Sequence, residues 1–424
     1  MEKRPRTEAM RGVGGAGTYS DGKLHFTPVL SHEKILDIIP LAKYSKVLND
    51  IDQQFTDFGA TGPYTPGNLG EAQALVKECA QNGIKLYIRR CKHVGSDFLP
   101  AVVGNIVKKL ESAGVKIITE TQIDTILEKS GKIIGLKSKD SVFTAKNFLI
   151  APGRIGANWL KFQAKNIGIS YTFQEIEVGV RVEFPSTIME SHSNILHENI
   201  YSIITPTYGD VIRTFCPCPH GHVAVEKYDE FVCVNGYSNN SHDSPNSNFN
   251  FTTPIILTDP VEDTSEYAVF VAKLANQLGS GKPLLQRLGD LRTGHRSTWD
   301  KINSNSVVPT LKDVVPGDIS LALPHRIVTN ILEGIDILNR VLTGINHEST
   351  LLYAPEIKLR GNRLKVNKLL QTEIKNLFVA GDGAGTSGNI VGAAASGIFA
   401  ARGILSTIQE SSLVRSKLMS RHQP

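Results

Sequence analysis

A chain of 424 residues is long enough for two domains with ample cores, and 41% hydrophobic against 21% charged residues is a globular balance that excludes disorder and an overall membrane class. The net charge of +5 comes from 46 Lys and Arg against 41 Asp and Glu, spread without a long basic run, and gives no footing to a nucleic-acid partner. Five cysteines without a secretory signal argue against structural disulfides; no apolar stretch reads as long enough to span a bilayer, so no membrane partner is expected and the cytoplasm is the expected location.

The first patterned stretch is GVGGAGTYSDGK, Gly12 to Lys23, a glycine-dense loop expected to be neither helix nor strand interior. Asn68 to Asn82 reads as a helix with Leu69, Ala72, Leu75, Val76 and Cys79 on one face and Gly83 at its end. Leu99 to Ala113 repeats the design, with Val102, Val103, Ile106, Val107 and Leu110 apolar and Gly114 as terminator. A strand is expected over Val115 to Ile118, followed by short strands broken by turns at Lys129 to Gly131 and Lys139 to Ser141. The buried run Phe148 to Ala151 then ends at Pro152-Gly153.

From Ile176 the alternation is strict, Ile176, Val178, Val180, Val182 and Phe184 against Glu177, Gly179, Arg181 and Glu183, which predicts a half-buried strand. Strand-like runs follow near 200–204, 210–218, 222–226 and 231–235, then a polar loop around 238–250 expected at the surface, then helical runs near 267–278 and 328–342. Strands followed by helices suggest a separate α+β region. Its most unusual string is RTFCPCPHGH, Arg213 to His222, in which an extended chain would turn Cys216, Cys218, His220 and His222 to one side. Two thiols and two imidazoles could be a zinc set, although a one-residue gap between thiolates and the stiff Pro217 and Pro219 strain a tetrahedral site. Small cysteines packed in a strand, or a redox or substrate-facing role, are the alternatives. The pairs His295-Arg296 and His325-Arg326 read as solvated or salt-bridged surface features before substrate anion clamps.

The stretch with the densest signal is Lys375 to Leu405. Leu377 to Ala380 is a fully apolar run of the kind buried on both faces of a parallel sheet, and it stops at Gly381-Asp382-Gly383-Ala384-Gly385. A helix begins near Asn389, with Ile390, Ala394, Ile398, Ala401, Leu405 and Ile408 as an apolar face and Gly392, Ser396, Ala400 and Gly403 as a stripe of small side chains. A buried strand, a glycine turn, an acid at the strand's carboxyl end and a close-packing helix suit a phosphate beside a hydroxylated ligand.

NLFVAGDGAGTSGNIVGAAASGIFAARGIL resembles the C-terminal cofactor motif of two-domain FAD-dependent oxidoreductases, and is most similar to the FAD-utilising dehydrogenases. GGAG followed by SDGKL matches the second glycine-rich loop of that family, and R-T-F-C-x-C-P is a string by which its inserted domains are recognisable. The resemblance implies FAD as cofactor and an α/β fold, an FAD/NAD(P)-binding Rossmann-like domain, N-terminally incomplete, with an inserted α+β substrate domain. It implies a discontinuous cofactor domain over 1–172 and 346–424 around an insertion at 173–345. By resemblance Asp382 holds the ribityl chain, the N–H groups of Gly383, Ala384 and Gly385 face the pyrophosphate, and Gly381 is a further cofactor-binding candidate. Gly14, Gly15, Ala16 and Gly17 lie beside the flavin or its pyrophosphate, Val115 and Ile117 pass the adenine, and Gly153 closes a segment in which Pro152 replaces the family's threonine. Glu2 is the candidate remnant of the ribose-binding acid, because the sequence lacks the family's opening strand, G-x-G-x-x-G turn and helix. The implied activity is hydride or electron transfer between a small-molecule substrate and flavin, with Arg213, Cys216 and Cys218 as candidate catalytic residues and no metal. A non-catalytic remnant without stable flavin, or an NAD-only dehydrogenase, are the alternatives, and weak or absent FAD binding by the 424-residue chain alone is the expectation.

Overall fold

The computed structural model describes residues 12–30, 32–228, 230–238, 244–255, 257, 263–359 and 362–420, with residue 33 and residues 411–420 described by backbone alone. The chain is an α/β protein whose contacts divide it into two compact units. One comprises Met1–His25, Thr56–Lys108 and Glu175–Leu359; the other comprises Phe26–Phe55, Lys109–Gln174 and Arg360–Pro424. This division differs from the expected one. Residues 56–108 and the strand Leu351–Lys358 group with the 175–359 region, because Ile84–Tyr87 and Leu351–Lys358 are strands of its sheet and Ala72, Leu75 and Cys79 join its core, while Lys23–His25 pairs with Cys91–His93 in a separate small sheet of the same unit.

The larger unit is built on an eight-stranded sheet in the order Val315–Pro316, Leu284–Arg287, Leu351–Lys358, Ile176–Pro185, Asn246–Ile255, Val211–Cys218, Ile200–Ile204 and Ile84–Tyr87. All neighbours are antiparallel except the first two. Val178, Val180, Val182 and Phe184 pack in one cluster with Ile327, Ile331 and Ile335 of the helix His325–Leu338 and with Ala268 and Ala272 of the helix Thr264–Leu278. Gly334 lets the first helix lie close, since a Cβ there would stand 2.7 Å from Ile212 Cγ2 and from the Phe251 ring.

The strand Ile176–Pro185 is buried on both faces, against the expectation of a half-buried one. The hairpin His222–Lys227 and Val232–Tyr237 contributes Val223 and Val234 to a second cluster with Leu285, Leu351 and Tyr353, and closes over the polar alternates. Glu177, Arg181 and Glu183 are therefore buried charges held by partners. The expected surface loop is likewise corrected: Asn246–Ile255 is a buried strand, paired on both sides, in which Asn246, Asn248 and Asn250 alternate with Phe249 and Phe251. Amide side chains there serve as hydrogen-bond partners of buried charges, Asn248 to Arg181 and Asn246 to Glu183.

The smaller unit holds a parallel pair, Phe148–Ile150 beside Leu377–Val379, and the antiparallel meander Thr125–Lys129, Lys132–Lys137 and Val142–Phe143. Its core joins Phe148, Ile150, Leu377 and Val379 to Leu160 and Ala164 of the helix Ala157–Asn166. Val115 to Ile118 is not a strand; Val115 and Ile118 are exposed, and among the described residues the segment has no sheet partner. The long helix Ile390–Ser420 buries Val391, Gly392, Ala395, Ser396, Phe399, Ala400 and Gly403, so the small-residue stripe is the packed side. The expected apolar face is the outer one, with Leu405 58% and Ile408 45% exposed. Close approach decides this: a Cβ on Gly403 would lie 2.3 Å from the Leu369 carbonyl oxygen. Ile390–Glu410 is also long and apolar enough to cross a membrane by length and composition, which corrects the reading that no stretch is.

Candidate functional site

The parallel pair sets its register as Leu377 to Phe148, Phe378 to Leu149 and Val379 to Ile150, which ends both strands at one level. Each then turns on a glycine of positive φ, Gly153 at 68° and Gly381 at 77°, and an added Cβ at either would meet nothing within 4 Å. Carboxyl ends of neighbouring parallel strands are where open α/β sheets take ligands. Gly383 closes the two turns on each other: a Cβ there would lie 2.3 Å from the Gly153 carbonyl oxygen and 2.8 Å from Pro152 Cγ. Pro152 is thus part of the wall against which the acidic turn rests.

Asp382 stands in this corner, partly exposed, where Ser387 Oγ donates to its Oδ1 at 2.6 Å and Arg154 Nη2 lies 3.4 Å from its Oδ2. Arg154 is a candidate that sequence reading missed, although its place directly after Gly153 at the end of an apolar run was a usable signal. Ser396, in the small-residue stripe, accepts the Gly381 N–H at 2.9 Å and ties the helix to the turn. Of the N–H groups expected to face a pyrophosphate, Ala384 donates to the Gly381 carbonyl at 3.3 Å and Gly385 to the Asp382 carbonyl at 3.0 Å. Those two are spent inside the turn, which is a 3-10 turn over Asp382–Ala384.

Gly14, Gly15, Ala16 and Gly17 belong to the larger unit, where Gly15–Tyr19 forms a 3-10 turn, a correction to the reading of a plain loop. Gly14 has φ 79° and a Cβ there would lie 2.0 Å from Thr18 Oγ1 and 2.9 Å from Val103 Cγ1, while Gly15, at 54°, faces open space. Val115 and Ile117 lie on the irregular exposed segment described above. Glu2 lies outside the described residues.

The RTFCPCPHGH string does not run extended. Cys216 and His220 have positive φ, 45° and 48°, and the register against Asn246–Ile255 slips between Phe215 and Cys218. This bulge turns the four side chains off one common face: His222 has left for the hairpin, stacked on Tyr237 with centroids 5.3 Å apart. Arg213, a catalytic candidate, is committed to Glu177, Nη2 to Oε1 at 2.5 Å, with its guanidinium over Phe215.

Two buried cations hold the backbone between the cysteines. Arg181, fully buried, donates from Nη2 to the Cys216 carbonyl at 2.8 Å and to Cys218 Sγ at 3.2 Å, and its Nη1 pairs with Glu356 at 3.2 Å. The Lys23 ammonium donates to the Pro217 carbonyl and lies 3.0 Å from both Asp21 and Glu198. Burial alone would lower the Lys23 pKa, but those two carboxylates outweigh it and hold it well above the ordinary value. Burial pushes the Cys218 thiol up to about 11, against the pull of Arg181 and Lys23, and pushes Cys216 up as well, so both rest as thiols.

Residues 175–359 match the family model described as FAD-dependent protein, C-terminal domain-like, and the matched range coincides with the contact-defined segment Glu175–Leu359. FAD is the cofactor which that match names. An uncharacterised protein of Clostridium beijerinckii is 25% identical, the alignment covering 93% of this chain and 70% of that protein. Glycine oxidase from Geobacillus kaustophilus superposes with a TM-score of 0.36 at 11% identity, covering 91% of this chain and 84% of that one. The FAD-complexed glycerol-3-phosphate dehydrogenase from Bacillus halodurans gives 0.30 at 10%, covering 82% and 56%, and an oxidoreductase from Methanosarcina mazei gives 0.29 at 11%, covering 73% and 54%. This chain spans little more than half the length of the last two structures, and such scores carry no weight for its activity.

Proposed function

We propose, from the premise that residues 175–359 are of the FAD-dependent C-terminal domain type, that this chain is a flavin-dependent oxidoreductase acting on a small organic substrate. The observation that carries the reading is the corner at the ends of Phe148–Ile150 and Leu377–Val379, where two positive-φ glycines leave open space beside a half-open carboxylate. The residues fit FAD in kind. Asp382 keeps lone pairs for a ribityl hydroxyl, since its contact with Arg154 is a long one at 3.4 Å. The Gly383 N–H, at the start of the short turn, and the Arg154 guanidinium are the nearby groups suited to a phosphate. Gly14 to Gly17 are assigned to the flavin by resemblance alone.

When bound, FAD supplies hydride or electron transfer. The chain's own part is to hold the sugar chain at Asp382 and neutralise phosphate charge at Arg154. The test is titration of the purified chain with FAD, followed by flavin absorbance and fluorescence, beside Asp382→Asn. Saturable binding by the wild-type chain that the variant weakens supports the reading. Binding that Asp382→Asn leaves unchanged would overturn the assignment of the corner, and a chain that remains colourless and gains no thermal stability from FAD would overturn the oxidoreductase reading in favour of the non-catalytic remnant.

A further inference from the structure

Of the five cysteines, Cys79, Cys91, Cys218 and Cys233 are buried, and Cys216 alone is half-buried. Cys216 sits two residues from Cys218 on a bulge that re-aims its side chain, and the Cys218 sulphur folds back to 3.4 Å from the Cys216 carbonyl oxygen. Residues two apart lie at most about 7 Å apart at Cα, within reach of the disulfide range. The carbonyls of Cys216 and Pro217 are each held by a buried cation, Arg181 and Lys23, and the Arg181 guanidinium also touches the Cys218 sulphur. Gly236 makes room for that guanidinium, since a Cβ there would lie within 2.5 Å of Arg181 Cζ. A held backbone, one cysteine that is only half-buried, and a second whose sulphur lies beside a permanent positive charge are the parts of a dithiol redox centre.

We propose that Cys216 and Cys218 form a thiol–disulfide couple that exchanges with small-molecule or protein disulfides. Cys216, a thiol at rest, attacks a disulfide R–S–S–R as it gives up its proton, forming a Cys216–S–S–R bond and releasing one R–S⁻. Cys218 then attacks the Cys216 sulphur, forming the Cys216–Cys218 bond and releasing the second R–S⁻. The two protons of the protein thiols pass to the two leaving thiolates. Two protein thiols are oxidised by two electrons and one disulfide is reduced, so no flavin is required and the proposal does not rest on the flavin reading.

The test uses the full chain equilibrated in buffers of reduced and oxidised glutathione, in native buffer and in concentrated urea, followed by acid quenching, thiol alkylation and peptide mass mapping. The expected result is loss of two thiols of the five, both in the peptide carrying Cys216 and Cys218, with an equilibrium constant at least about tenfold larger in native buffer than in urea. Cys218→Ala is expected to accumulate glutathione on Cys216, which the wild-type chain does not retain. An equal or smaller constant in native buffer would overturn the proposal, because the fold would then contribute nothing to the pair. So would wild-type protein that keeps glutathione on Cys216 as stably as the variant. Should Cys218→Ala fail to fold, the native-against-urea comparison on the wild-type chain decides alone.

Discussion

Gly383→Ala tests the corner by steric means alone. The new methyl carbon would start 2.3 Å from the Gly153 carbonyl oxygen, about 1 Å short of van der Waals contact, and 2.8 Å from Pro152 Cγ. Neither obstacle is the free end of a flexible side chain. The first is backbone and the second a proline ring, and both follow a strand fixed by parallel pairing at three registered positions. Relief must therefore come from prising the two turns apart, and overpacking of this kind costs about 1–3 kcal/mol. Gly381→Ala is the control. Its Cβ meets nothing within 4 Å, so only the positive φ of 77° is penalised, at about 1 kcal/mol. Equilibrium urea unfolding of the two variants beside the wild-type chain measures the difference. If Gly383→Ala proves no less stable than Gly381→Ala, the two turns do not close on each other and the corner described here is misassigned.

Asp382→Ala should weaken FAD binding by about 1–3 kcal/mol through loss of a charge-assisted bond, while loss of the half-exposed Arg154 pair costs well under 1 kcal/mol of stability; an unchanged dissociation constant removes Asp382 from the cofactor site. Arg181→Met strips a fully buried Glu356 of one of its two cations and the Cys216 carbonyl of its donor, and should cost about 3–5 kcal/mol in urea unfolding; a loss below 1 kcal/mol would mean that Lys358 alone, 2.8 Å from Glu356, satisfies that carboxylate. His93 and His197 stack at 4.2 Å, and burial first, then Lys23 and for His197 also His93, hold both below the ordinary histidine value of 6.5. Below that pH the unfolded chain takes up protons that the folded rings refuse, so stability present above it is lost as pH falls; urea midpoints should decline toward pH about 5.5, and the decline should be shallower in His197→Gln.

The local grammar of this chain was legible in its residues. The helices Leu69–Gln81, Leu99–Ser112 and Thr264–Leu278, the meander from Thr125, and the two apolar runs that became the parallel pair all follow from periodicity and turn chemistry that act over a few residues. So did the glycine turn with Asp382, because strand, glycine and acid are consecutive. Tertiary structure alone decided which surfaces those elements would meet. Alternation at Ile176–Pro185 shows two faces but not that a hairpin covers the polar one, and Asn246 to Asn250 read as surface because an amide's buried partner is remote in sequence. The long helix turned its small stripe inward and left Leu405 and Ile408 outside, since how near a backbone can approach outranked side-chain hydrophobicity. Arg154 met Asp382 across 228 residues of sequence, and Lys23 reached the Pro217 carbonyl across 194. Charges that find partners only through the fold leave no periodic trace in the chain, and there the reading of a sequence by itself ends.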